Sequence, residues 1–230
     1  MSKPLISVIT PTTGEPSFLN LLKSLYIQDI DFEHIVLWDD KRAINESKDM
    51  IPFLIPLDIR DDFRWKKSYN IQIPGNMVNG VAAGSSLRAI GLMAAQGKYV
   101  VFADSDVWYE SNHLQNLLNT VKDKQWGFCR RKIWNSKKEY LGIDNFEAIG
   151  NSLEKRVPYI LVDNNTMIFE RRFGTSGAVL YRETQEYNDD RLFTEFLYKY
   201  AGVPGISKEA TVNQICPDRL EKMFRENCIK

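Results

Sequence analysis

Carboxylates gathered at the ends of apolar runs are the residues of this sequence best placed to do chemistry. Asp104-Ser105-Asp106 follows directly on Tyr99-Val100-Val101-Phe102-Ala103. Two carboxylates on such a turn, one small residue apart, can hold a divalent cation through oxygen ligands and leave positions open for phosphate oxygens. Taken alone, the triplet is a weak signal, because Asp and Ser favour turns. The apolar strand before it, and Val107-Trp108 and a capped helix after it, strengthen it. Asp39-Asp40 ends a second apolar run, Ile35-Val36-Leu37-Trp38. A carboxylate there can accept from a ribose hydroxyl or a base N–H, and a plain polar turn is the bland alternative. Asp189-Asp190 opens a helical stretch, where acidic side chains cap free N–H groups and suit the helix dipole. Asp61-Asp62, between Arg60 and Arg64, is explained by local ion pairs.

The elements that must position these residues alternate in type. Leu5 to Thr10 reads as a buried strand ended by Pro11, and Phe18, Leu21, Leu22 and Leu25 recur on one helical face. Ile35 to Trp38 is a second strand, and Tyr69, Ile71 and Ile73 alternate as a third. Leu87, Ile90, Gly91 and Ala94 make a second helix, with Ser85 or Ser86 as N-cap and Gly97 as its stop. Tyr99 to Ala103 is a fourth strand, and Leu114, Leu117, Leu118 and Val121 a third helix opened by Ser111 or Asn112. Lys41 to Ser68 is poorly periodic. Beyond Gly127, Phe128 to Trp134 and Gly177 to Tyr181 look strand-like. Phe193, Phe196, Leu197 and Tyr200 form a helical face stopped by Gly202 and Pro204, and a C-terminal helix begins at Asp218. Strands alternating with helices predict an α/β fold with a mainly parallel sheet. Ligands in such sheets bind beyond the carboxyl ends of the strands, which is where Pro11-Thr12-Thr13, Asp39-Asp40 and Asp104-Ser105-Asp106 fall.

Composition narrows the function classes. Thirty basic residues balance thirty acidic ones in a chain of 230, which argues against a dedicated nucleic-acid binder. Hydrophobic residues at 43% supply a real core, so wholesale disorder is not expected. No run approaches the ~20 apolar residues of a membrane helix, and the first residues, MSKPLISVIT, show no signal-peptide pattern. The cysteines Cys129, Cys216 and Cys228 form no CxxC pair and read as reduced thiols of a cytoplasmic protein. Arg130-Arg131-Lys132, Lys137-Lys138 and Arg171-Arg172 read as solvated faces, or else as docks for anionic groups. The sequence has no GxGxxG, no P-loop and no GxSxG elbow. Its two histidines, His34 and His113, are expected to be structural or solvent-facing.

The segments SVITPTTGEPSFLNLLKSL, HIVLWDD and SSLRAIGLMAAQGKYVVFADSDVWYESNHLQNLL, in that order, resemble a GT-A glycosyltransferase of the family 2 type. GTSGAVLYRE and YNDDRLFTEFLYKYAG continue the resemblance. It implies a single GT-A-like domain over residues 1–230: a nucleotide-sugar-binding half over 1–125, and a mixed acceptor-side half over 126–230. Pro11, Thr12 and Thr13 would line the base and ribose, and Asp40 would bind the base, through a uracil imide N–H. Arg88 would lie near the nucleotide. Asp104 and Ser105 would contact it too, Asp104 through the ribose or the metal. Asp106 would be the principal ligand of Mn2+ or Mg2+, and Asp190 the catalytic base, with Asp189 its nearest rival. The sequence departs from the family at Thr13, where an aromatic is common, and at Ala89, where Asn is frequent. It departs again at Lys41-Arg42 and at Val107. The implied activity is inverting transfer of a hexose from a UDP-sugar to a glycan or lipid-linked saccharide. The implied setting is cytoplasmic, peripheral to the inner face of a membrane, without nucleic-acid partners. A nucleotidyltransferase on a related sheet, and a non-catalytic carbohydrate-binding relative, are the competing readings.

Overall fold

The computed structural model describes residues 3–39, 65–73 (backbone only), 84–145, 149, 161–181 and 189–230. The chain enters as β1 (Ile6–Thr12), α1 (Phe18–Tyr26), β2 (Phe32–Asp39) and β3 (Trp65–Ile73). It continues as α2 (Ser85–Ala94), β4 (Tyr99–Phe102), β5 (Val107–Tyr109), α3 (His113–Thr120), β6 (Trp126–Trp134) and β7 (Tyr140–Ile143). It closes as β8 (Met167–Glu170), α4 (Arg171–Gly177), α5 (Asp189–Tyr200), β9 (Gly205–Ile215) and α6 (Asp218–Asn227). All these strands join one sheet in the order β3-β2-β1-β4-β8-β6-β9-β5, with β7 beside β6. The first four are mutually parallel, as the strand–helix alternation predicts; β8 then runs antiparallel to both β4 and β6.

Alternate residues of the central strands feed opposite faces of the sheet. Val8, Val36 and Val101 pack with Phe18, Leu21 and Leu25 of α1 and Leu114 and Leu117 of α3. Ile9, Leu37, Val100 and Phe102 pack with Leu87 and Leu92 of α2 and Phe193 and Leu197 of α5. On this second face Phe102, Phe169, Tyr181 and Phe193 form an aromatic knot with centroid separations of 5.0–6.2 Å.

Several elements differ from the sequence reading. β1 does not stop before Pro11, which pairs with Leu37 inside the β1–β2 ladder. The β4 side of β1 is unpaired beyond Ile9–Phe102, so the proline's missing N–H has an open edge to face. Gly177 to Tyr181 is not a strand: α4 ends at Gly177 and a 3-10 turn covers Ala178–Leu180. A short apolar run cannot be assigned by periodicity alone, and here it packs as helix beside Phe193. The cap of α2 is Gly84, not Ser85 or Ser86. The helix ends at Ala94, three residues before Gly97. A Cβ on Gly97 would lie 2.6 Å from the Ser7 amide, so that glycine serves close packing. The Arg130-Arg131-Lys132 patch is not a uniformly solvated face. Arg131 is buried, paired with Asp144 and Asp163, while Lys132 reaches Glu110. Among the described residues no helix is long and apolar enough to cross a membrane, and Cys129, Cys216 and Cys228 are free thiols.

Both histidines are buried and structural. His34 Nε2 meets Thr10 Oγ1 at 2.9 Å. His113 Nδ1 meets Thr211 Oγ1 at 2.8 Å, and its ring stacks on Tyr109 with centroids 3.9 Å apart. Burial disfavours the imidazolium and pushes both down to about 3. The unfolded chain, titrating near 6.5, therefore binds more protons at acid pH, and the stability from each neutral histidine is lost as pH falls below about 6.5. Chemical denaturation at pH 7 and pH 5 tests this, with other titrating groups cancelling in a comparison against His113→Asn. The wild type should lose about 2 kcal/mol more than the variant across that interval. Equal pH sensitivity of the two proteins would contradict the assignment.

Candidate functional site

The parallel ladders bring the polar strand ends of the sequence to one edge. Val8, Ile9 and the neighbouring β4 residues are in register, and the Ala103 amide donates to the Ile9 carbonyl at 2.9 Å. That register sets the turn Asp104-Ser105-Asp106 beside Pro11, Thr12 and Thr13. A cleft of about 300 Å³ opens between them, lined also by Glu15, Gly84, Leu87 and Arg88. The structure thus gathers Pro11, Thr12, Thr13, Arg88, Asp104, Ser105 and Asp106 around one space. Asp40 lies outside the described residues. Asp190, at the start of α5, does not line the cleft but is close enough to Arg88 for their charges to interact.

Glu15 joins the two sides of the cleft. It accepts from the Thr13 hydroxyl at 2.7 Å and the Thr13 amide at 3.2 Å, and from the Ser105 hydroxyl across the cleft. Burial opposes its charge, but the bonds from Ser105 and Thr13 outweigh that and hold the carboxyl below its ordinary range. The sequence reading missed Glu15. Its signal was the Thr12-x-x-Glu15 spacing, a hydroxyl followed three residues later by a carboxylate, which resembles a capping box.

Arg88 is the basic side chain among the described residues that line the cleft. Its Nη2 donates to Asp104 Oδ1, and its guanidinium carbon lies 6.0 Å from the centroid of the Phe102 ring. Burial works against its charge, yet Asp104 and Asp190 together raise its affinity for the proton above the ordinary arginine value. Asp104 is engaged on both oxygens, since Asn165 Nδ2 donates to Oδ2 at 3.0 Å. Asp106 is solvent-exposed at the cleft. Desolvation by the protein around its carboxyl, and then the charges of Asp104, Asp163 and Glu15, push it up to about 7 although the residue's outer side meets solvent. That excess of carboxylate charge fits a cation. Among the described residues no group of three or more His, Cys, Asp or Glu side chains is arranged to hold one. A metal here would take Asp106 from the protein and its other oxygens from a ligand, the usual manner for a diphosphate-bound ion.

At the start of α5 the acidic pair divides. Asp189 is buried and accepts from the Ser85 hydroxyl, so Ser85 ties α2 to α5 and does not cap its own helix. Asp190 accepts from Asn164 Nδ2 at 2.5 Å. Burial pushes Asp190 up to about 8; Arg88 pulls it down, and Asp163, Asp189 and Asp104 add to the rise.

With this geometry in view, the family relation is direct. Residues 7–183 match the family described as Glycosyl transferase family 2, and the chain belongs to that family. No curated protein sequence matches it significantly. Its fold is similar to that of S. aureus TarS 1-349, at 22% identity and a TM-score of 0.68, covering 95% of this chain and 64% of that one. TarS 1-349 in complex with UDP-GlcNAc gives 21% identity and a TM-score of 0.67, covering 93% and 59% of the respective chains. The complex with UDP gives 20% and 0.63, covering 95% and 62%. The chain therefore spans a little under two thirds of these TarS chains.

The seat of Arg88 depends on two glycines. Gly91 lets α2 approach β1, because a Cβ there would meet Ile9 at 2.4 Å. Gly84 has φ +100°, and a Cβ on it would lie 3.3 Å from Arg88 Nη1 and 3.4 Å from Pro11. Gly84→Ala should therefore cost about 1 kcal/mol or more and lower the thermal midpoint by roughly 2–4 °C. An unchanged midpoint in differential scanning calorimetry would show that the glycine is not required.

Proposed function

We propose that this chain transfers a hexose from a UDP-sugar to a hydroxyl of a glycan or lipid-linked saccharide, with inversion, assisted by Mn2+ or Mg2+. The observation that carries this reading is the single cleft in which the β1 end, Arg88 and the Asp104-Ser105-Asp106 turn meet. The donor class is supported by family membership and by the UDP and UDP-GlcNAc complexes of TarS, a protein of similar fold.

Each side chain has a task in this reading. Pro11, Thr12 and Thr13 receive the base and ribose, with Asp40 on the base. Arg88 and Ser105 flank the diphosphate, and Asp104 orients Arg88 and the ribose side. Asp106 would hold the cation, which when bound would supply Lewis-acid stabilisation of the departing diphosphate. Asp190 takes the proton from the acceptor hydroxyl as it attacks the anomeric carbon from the face opposite the departing UDP. A carboxylate whose proton affinity is raised toward the working pH is suited to that transfer. Asp189 is the weaker candidate, because it is buried against Ser85.

One experiment with two arms tests the reading. Calorimetry should show UDP binding that requires Mn2+ and is lost in Asp106→Ala, while Asp190→Asn binds UDP as the wild type does. In the second arm, UDP release from UDP-hexoses with Mn2+ should fall in Asp190→Asn by on the order of 10²–10⁴-fold. UDP affinity indifferent to EDTA removes the metal role. Retention of more than about a tenth of the rate, well short of that loss, removes Asp190 as base.

A further inference from the structure

The dipeptide Asn164-Asn165 has no task in the reading above, yet it touches both of the carboxylates on which that reading turns. Both asparagines are buried, in a 3-10 turn over Asn164–Thr166 that leads into β8. Asn165 contacts Asp104 twice: its Oδ1 accepts from the Asp104 amide at 2.6 Å, and its Nδ2 donates to Asp104 Oδ2 at 3.0 Å. Asn164 Nδ2 donates to Asp190 Oδ1 at 2.5 Å, and its Oδ1 accepts from the Tyr181 hydroxyl at 2.7 Å.

The orientation of each amide follows from its partners. A backbone N–H can only donate, so Asn165 must turn its oxygen to Asp104 N and its NH2 to the carboxylate. Asn164 presents NH2 to Asp190 and oxygen to the Tyr181 hydroxyl, the orientation that suits the ionised carboxylate a base requires, which can only accept. The turn itself is braced. Asp163 caps it by accepting from the Asn165 amide at 2.8 Å, and Thr166 Oγ1 donates to the Asp163 carbonyl at 2.8 Å. The other Asp163 oxygen pairs with buried Arg131, at 2.5 Å. Arg131 is held in turn by Asp144 at 2.9 Å and Gln214 at 2.7 Å. Successive residues of a 3-10 turn diverge by about a third of a revolution, which lets neighbours in sequence serve two different carboxylates.

We infer that Asn164-Asn165 is a two-armed positioning device: Asn165 fixes Asp104 on the donor side, Asn164 fixes Asp190, and their shared turn sets the distance between them. The inference rests on the reading of Asp190 as the base. Loss of one hydrogen bond to a charged group sets the scale of the effects.

The two arms separate by readout. Asn165→Ala should weaken UDP binding in the presence of Mn2+ by roughly tenfold. Asn164→Ala should leave that affinity within about twofold while slowing UDP release from UDP-hexoses by roughly tenfold or more. Asn164→Asp preserves side-chain size and an acceptor for Tyr181 but sets an oxygen against Asp190, so the same rate loss is expected without a packing change. In an Asp190→Asn background, Asn164→Ala should add nothing. Equal changes of affinity and rate in the Asn164 and Asn165 variants, or an additive loss in the Asp190→Asn background, overturn the device. A slow Asp190→Asn beside a fully active Asn164→Ala overturns the device alone, whereas a fully active Asp190→Asn overturns the reading of the base.

Discussion

The site depends on the placement of one buried cation among carboxylates. Arg88 pairs with Asp104 and interacts with Asp190. Glu15, Asp106 and Asp163 add further negative charge around the same strand ends. A buried arginine without its partner Asp104 would carry a large desolvation cost. That dependence constrains what surrounds it. Gly84 and Gly91 exist in the forms they do because α2 must bring Arg88 down onto β1 and the β4 end. The surplus of negative charge that remains after Arg88 is matched is what a divalent cation would answer.

Packing and polar order meet at two residues. Tyr181 belongs to the aromatic knot with Phe102, Phe169 and Phe193, and its hydroxyl leaves that knot to donate to Asn164. Arg131 does the same from the other side: its guanidinium lies 5.8 Å from the Phe224 ring centroid, and it pairs with Asp163 below the turn. Interiors are close-packed and transmit displacement, so the core fixes the turn and the turn fixes the carboxylates. The geometry of the site is thus inherited from apolar burial on both faces of the sheet.

What was legible in the sequence is what is local. Pro11-Thr12-Thr13 and Asp104-Ser105-Asp106 terminate apolar runs, and a parallel sheet places strand ends together without further information. Arg88 and Asp190 came from the family resemblance, through the segments that flank them. Glu15 left only a spacing, and Asn164-Asn165 left none, because its role arises from β8 lying beside β4 and from contact with α5. Arg131 was hidden inside a run of basic residues that reads as surface; only the fold shows one member of the run turned inward. Gly177 to Tyr181 was misread for a related reason, as its apolar residues satisfy a strand and a helix equally until α5 packs on them.

The central claim, that burial and neighbouring carboxylates raise Asp190 while Arg88 restrains the rise, is open to direct titration. Carbon-13 NMR of the Asp190 carboxyl, followed against pH in metal-free wild type and in Arg88→Met, measures it most directly. The account predicts a wild-type midpoint near about 8 and a higher one in the variant. A midpoint in the ordinary aspartate range, or one that Arg88→Met leaves unmoved, would contradict it.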